Sequence, residues 1–127
     1  MKYYDFFNGD ADGIISLHQY RLHFPKKSEV FTGVKRDVKL LRHAVEIKNS
    51  TLSVFDISLL SNKDYMDGIL NNNNRVTWFD HHEPGEINLG KNFSIKVDVD
   101  PNCCTNILVD KYTDGLHRPW TICGAYG

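Results

Sequence analysis

The feature that most constrains this chain is an alternation. A short strand-like run is followed by a helix-like run, and the pair recurs along the sequence. The strand candidates are residues 3–7, 30–34, 52–57, 76–79 and 95–99, each rich in β-branched or aromatic residues and bounded by Gly, Asn, Asp or Ser. Helical spacing appears in Ile14, Leu17, His18, Arg21 and Leu22 after an Asp12-Gly13 turn. It returns in Val38, Leu41 and Val45, with Asp37 as N-cap, and in Tyr65, Met66, Ile69 and Leu70, with Ser61 and Asp64 as the start signal. Cys104, Ile107, Leu108 and Tyr112 make a fourth helix. Strands about 20 residues apart with helices between them form right-handed βαβ units. The expected fold is α/β: three layers, with a mostly parallel five-stranded sheet flanked by helices, in one domain over residues 1–127.

Charge narrows the function classes. The 15 basic and 16 acidic side chains leave a net charge of −1, which excludes a strongly basic surface tracking long duplex nucleic acid. A nucleotide or a short single strand remains open. No apolar run approaches the roughly 20 residues needed to cross a bilayer, and Asp5 falls where a secretory signal would be apolar, so the expected location is cytoplasmic. Cys103 and Cys104 are adjacent and Cys123 lies in an apolar stretch; all three read as reduced thiols packed as small hydrophobes.

In an open parallel sheet, ligands bind beyond the carboxyl ends of the strands. Asn8-Gly9-Asp10-Ala11-Asp12-Gly13 follows the first strand, Asp56 ends the third, and the fourth runs into Asp80-His81-His82. Folding therefore gathers carboxylates and imidazoles on one edge. Such a cluster is self-repelling unless a cation sits in it or some carboxyls are protonated. Oxygen-rich sites with one or two imidazoles suit Mn²⁺ or Mg²⁺, and a pair of ions about 3.5–4 Å apart is a common device for displacement at phosphorus. Asp10 and Asp12 can each address a different ion, with Asp56 or Asp80 between them. Each acid also has a plainer role, Asp10 to Gly13 as a capping turn and Asp56 as a helix N-cap.

Asp10-Ala11-Asp12-Gly13, a lone Asp56 ending a later strand, and Asp80-His81-His82 resemble the first three motifs of the DHH phosphoesterases, in order and over nearly the whole chain. The resemblance implies a metal-dependent hydrolase of a phosphate ester in a nucleotide, short oligonucleotide or single-stranded nucleic acid, acting through a metal-activated water. It implies Asp10, Asp12, Asp56, Asp80 and His81 as ligands of manganese, two ions in the complete protein, with magnesium as the substitute. His82 faces the scissile phosphate in this reading, and Asp80 shares its catalytic role. Two departures stand out. Phe6 occupies the position four before Asp10 where family members commonly carry His, which leaves the Asn8 amide oxygen as a replacement. The fourth motif Asp, expected after a segment like Gly124-Ala125-Tyr126-Gly127, is not in the chain, which reads as an N-terminal part lacking the family's substrate domain.

Around this set, Lys35 and Arg36 follow the second strand and are candidates to clamp a substrate phosphate, or a solvated pair leading into a helix. Thr105 and Asn106 open a helix whose amides could bind an anion. Asp98, Asp100 and Glu83 read as edge or loop groups, and His18, His23, His43 and His117 lack ligand spacing. Tyr3, Phe7, Trp78 and Trp120 are either core or base-stacking residues. Two other function classes compete: a non-catalytic metal or nucleotide-binding module, favoured by Phe6, and a receiver-like signalling domain, which has no use for paired histidines.

Overall fold

The computed structural model describes residues 2–33, 39–82, 89–97 and 105–113. Its elements are β1 (Lys2–Asn8), α1 (Ala11–His23), β2 (Glu29–Gly33), a 3-10 helix (Leu40–Ala44), β3 (Ser50–Phe55), α2 (Leu59–Asn71), β4 (Arg75–Asp80), β5 (Phe93–Val97) and α3 (Thr105–Tyr112). The five strands form one sheet in the order β2-β1-β3-β4-β5. Every pairing is parallel, so the sheet is α/β in the full sense.

Side-chain alternation divides the core between the two faces. Phe6, Leu52, Val54, Val76 and Trp78 pack with Leu40, Leu41, Leu59, Met66 and Ile69 on the face covered by the 3-10 helix and α2. Phe55 and Phe79 stack at 5.4 Å on the other face, under Tyr20 of α1 and Val109 of α3. Three layers result, as the alternation of elements requires.

The order matters for the site. The chain leaves β1 through α1 toward one side of the sheet and leaves β3 through α2 toward the other. The two connections diverge above neighbouring carboxyl ends, the arrangement at which open parallel sheets bind ligands.

Several sequence readings shift at this level. α1 begins at Ala11 rather than after Asp12-Gly13, because Asp10 is its N-cap. Its buried residues are Gly13, Ser16 and Gln19, while Ile14 and Leu22 of the apolar stripe are exposed. The reason is close approach: a methyl group on Gly13 would run into the Asn8 carbonyl, so the helix lies against the strand end on its small residues. α2 is capped by Ser58, not Ser61; the Ser58 hydroxyl accepts from the Ser61 amide at 3.3 Å, and starting a turn earlier buries Leu59. The Val38, Leu41, Val45 pattern does not make an α-helix. Leu40, Leu41 and Ala44 form a 3-10 turn instead, with Val45 exposed, and the Asn62 side chain accepts from the Leu41 amide at 3.1 Å. Val38 and Asp37 lie outside the described residues, as do Cys103, Cys104 and Cys123. The fourth helix is described from Thr105 onward. No helix among the described residues is long and apolar enough to cross a membrane.

One buried ion pair anchors the first βαβ unit. Asp5, fully buried, receives Arg21 Nε at 2.8 Å, Arg21 Nη2 at 2.6 Å and the Ser28 hydroxyl at 2.6 Å. The next strand residue, Phe6, belongs to the core. Phe6 is wholly buried and stacks on Phe31 at 4.8 Å, and β1 continues past it to Asn8. Replacing it by histidine would place an imidazole among Phe31, Leu41 and Val54. We expect Phe6→His to cost about 2–4 kcal/mol in urea unfolding, through lost apolar contact and a desolvated ring nitrogen.

Candidate metal centre

The site grows from three strand ends. β1 ends at Asn8, and Gly9 turns the chain so closely that its amide donates to the Gly33 carbonyl at 3.1 Å. Asp10 follows in extended conformation, and its Oδ1 accepts from the Gly13 amide at 2.9 Å. The capping role is therefore real and coexists with a place at the site. Asp12 lies in the first turn of α1.

Asp56 terminates β3 in a left-handed conformation, φ 60°, while its amide still donates to the Phe79 carbonyl at 2.9 Å. A non-glycine residue there is uncommon, although Asp and Asn tolerate it better than most. The following turn is pinned by Trp78, whose indole Nε1 donates to the Ile57 carbonyl at 2.8 Å. Trp78 is thus a core and positioning residue rather than a surface for base stacking. The N-cap of α2 is Ser58, so Asp56 has no capping duty.

β4 delivers Asp80, and His81 and His82 follow it directly. One ligand atom from each of Asp56, Asp80, His81 and His82 lies within 4.8 Å of the others. His81 Nε2 is 3.0 Å from Asp56 Oδ1 and 3.9 Å from Asp12 Oδ2. His82 Nδ1 is 2.6 Å from Asp80 Oδ1. Buried carboxylates beside partly exposed imidazoles make a mixed oxygen and nitrogen donor set, which fits a divalent metal ion.

The structure thus brings Asp56, Asp80 and His81 together, with His82 in the same group and Asp12 beside His81. Asp10 joins through Asn8, whose amide nitrogen lies 3.4 Å from both Asp10 Oδ2 and Asp56 Oδ2. Asn8, rather than Phe6, is therefore the β1 residue that meets the carboxylates. Thr105 is a further participant: its amide donates to Asp12 Oδ2 at 3.0 Å and its hydroxyl to Asp56 Oδ1 at 3.1 Å. The sequence marked Thr105 only as a helix start with amides able to hold an anion, and the anion held is the chain's own Asp12. Lys35, Arg36, Asp98, Asp100, Glu83, His117, Trp120 and residues 124–127 lie outside the described residues, and so does the Asn106 side chain.

Crowding shows in the protonation equilibria. Burial first, then the charges of Asp12 and Asp10, push the Asp56 carboxyl up to about 6, against the lowering effect of the His81 hydrogen bond. His81 is shifted upward by its hydrogen bond to Asp56, and His82 by its hydrogen bond to Asp80.

A carboxyl with a raised folded-state pKa contributes stability below its unfolded pKa and loses that contribution as pH rises through the folded value. For Asp56 the loss falls between the ordinary aspartate range and about pH 6. Asp56→Asn removes the charge and keeps a residue that tolerates φ 60°. In chelator-treated protein, this variant should be more stable than wild type at pH 8, by about 1–3 kcal/mol. The difference should shrink as pH falls toward about 4.5. Urea unfolding at the two pH values checks it.

Comparison with known proteins bears on the fold. No family model and no curated protein matches the chain. Among solved structures, an exonuclease RecJ bound to manganese superposes with a TM-score of 0.59 at 14% identity, over 98% of this chain and 38% of that one. RecJ from Thermus thermophilus, in complex with Mn²⁺, gives 0.60 at 16% identity, over 93% of this chain and 18% of that one. An uncharacterized protein from Helicobacter pylori gives 0.54 at 14% identity, over 91% and 36%. The chain spans well under half the length of these structures, and it shares their fold across almost all of its own length.

Proposed function

We propose that this chain is a DHH-type phosphoesterase domain: a metal-dependent hydrolase acting on a phosphate ester of a nucleotide, a short oligonucleotide or single-stranded nucleic acid. The observation that carries the reading is the convergence of Asp10, Asp12, Asp56, Asp80, His81 and His82 at the carboxyl ends of β1, β3 and β4. The shared fold with manganese-bound RecJ structures supports it.

In this reading Asp10, Asp12, Asp56, Asp80 and His81 would hold manganese, as a pair of ions. When bound, the cation supplies Lewis acidity that activates a water and steadies phosphoryl oxygens. The chain's own groups do the rest. Asp80 fixes the His82 ring through Nδ1 and favours its protonated form, which leaves Nε2–H to donate to a phosphate oxygen or a leaving oxygen. His82 is 46% exposed on its side chain, open enough to reach a substrate. Gly13 and Gly9 hold the Asp10–Asp12 turn against the strand ends, and Trp78 holds the turn after Asp56.

A non-catalytic metal or nucleotide-binding module remains the competing reading, and Asn8 favours it by placing a neutral group between Asp10 and Asp56. Two variants separate the roles. Asp80→Ala should abolish manganese binding in a calorimetric titration of chelator-stripped protein. His82→Asn should keep manganese affinity within a few-fold and lower kcat by about 10²–10⁴. Hydrolysis is followed with a mononucleotide, a dinucleotide and a short single-stranded DNA. Manganese binding with no turnover of any of the three would favour the binding module.

A further inference from the structure

Thr105 lies at the start of α3 and is wholly buried, yet its amide and its hydroxyl both reach outside its own helix. The amide donates to Asp12 Oδ2 at 3.0 Å, across 93 residues, and the hydroxyl to Asp56 Oδ1 at 3.1 Å, across 49. A hydroxyl in a helix's first turn more often serves a local backbone group. Here it reaches a carboxylate that follows another strand.

The consequence is a defined presentation of Asp56. Its Oδ1 receives Thr105 Oγ1 and lies 3.0 Å from His81 Nε2, while its Oδ2 faces the Asn8 amide at 3.4 Å. One oxygen therefore belongs to the His81 and Asp12 half of the cluster, the other to the Asp10 half. Tilting the carboxylate plane away from these partners would break the division between the two halves, and the Thr105 hydroxyl opposes that tilt. The same residue's amide fixes Asp12 beside His81.

We infer that Thr105 is a positioning residue of the cation site, setting how Asp12 and Asp56 are presented to the metal without binding it. This inference rests on the manganese reading given above. Hydrogen bonds from outside the ligand set commonly tune metal affinity by about 10–100-fold.

The test compares two substitutions with opposite losses. Thr105→Val keeps the shape and the backbone amide but removes the hydroxyl; Thr105→Ser keeps the hydroxyl and removes a methyl group. Manganese affinity is measured by calorimetry and the melting temperature of the metal-free protein in parallel. A positioning role weakens manganese binding by about tenfold or more in Thr105→Val and leaves Thr105→Ser within about threefold of wild type. A packing role gives the reverse order, with Thr105→Ser the more impaired. Should Thr105→Val not fold, Thr105→Ala takes its place against Thr105→Ser. Wild-type affinity in the variant lacking the hydroxyl overturns the inference and leaves the manganese reading intact. Failure of the wild-type protein to bind manganese overturns both.

Discussion

Carboxylates on adjacent strand ends repel one another, and the surroundings of Asp10, Asp12 and Asp56 are arranged around that repulsion. The chain shows two ways of treating a buried acid. Asp5 is neutralised permanently by a two-pronged Arg21 contact and the Ser28 hydroxyl. Asp56 instead receives a neutral hydroxyl, an amide and an imidazole, with two further carboxylates nearby, and its pKa rises to about 6. The hydroxyl and the amide fix geometry without cancelling charge, and the imidazole offsets it only when protonated. A group of acids left in that condition is suited to a mobile counter-charge, as a fixed arginine pair is not.

The topology explains why these acids meet. With β1 and β3 adjacent and their connections leaving toward opposite faces, the residues after the two strands rise on either side of a gap. β4 stands next to β3, so Asp80, His81 and His82 close the gap from the third strand. Small residues make the approach possible: a Cβ on Gly9 would lie 2.6 Å from the Gly33 carbonyl, which backbone cannot yield cheaply. Glycine in the Asp12-Gly13 pair is thus a packing requirement of the turn as much as a signature of it.

Much of this was legible because strand period and helix period differ so sharply. The five strands, the parallel sheet and the edge on which the acids gather follow from short apolar runs and the residues after them. The errors share a cause. The stripe of Ile14 and Leu22 has helical spacing but faces outward, because the approach of α1 is dictated by Gly13 and Asn8, a tertiary contact that periodicity does not encode. Ser58 won the α2 cap because Leu59 could then be buried. Phe6 departs from the His that the resemblance leads one to expect, and its side chain is spent in the core, stacked on Phe31. In the structure the strand runs to Asn8, and the polar residue at its tip takes the place at the cluster. Thr105 was hidden by distance, since nothing local marks a hydroxyl whose partner follows another strand.

Those long separations also tie the site to the fold as a whole. The Asp12 and Thr105 contact spans 93 residues, so the cluster is complete only when α3 has docked on α1 and β4. Closing so long a loop carries an entropic cost that only the finished structure offsets. The acids, meanwhile, weaken that structure when they are charged and unaccompanied. A cation that binds the folded chain and not the unfolded one stabilises it in proportion to the logarithm of its concentration over its dissociation constant. Occupancy and folding are then linked in the same groups: the left-handed Asp56, held by Thr105 at one oxygen and facing Asn8 at the other, is both the most strained of the acids and the one through which the two halves of the cluster are joined.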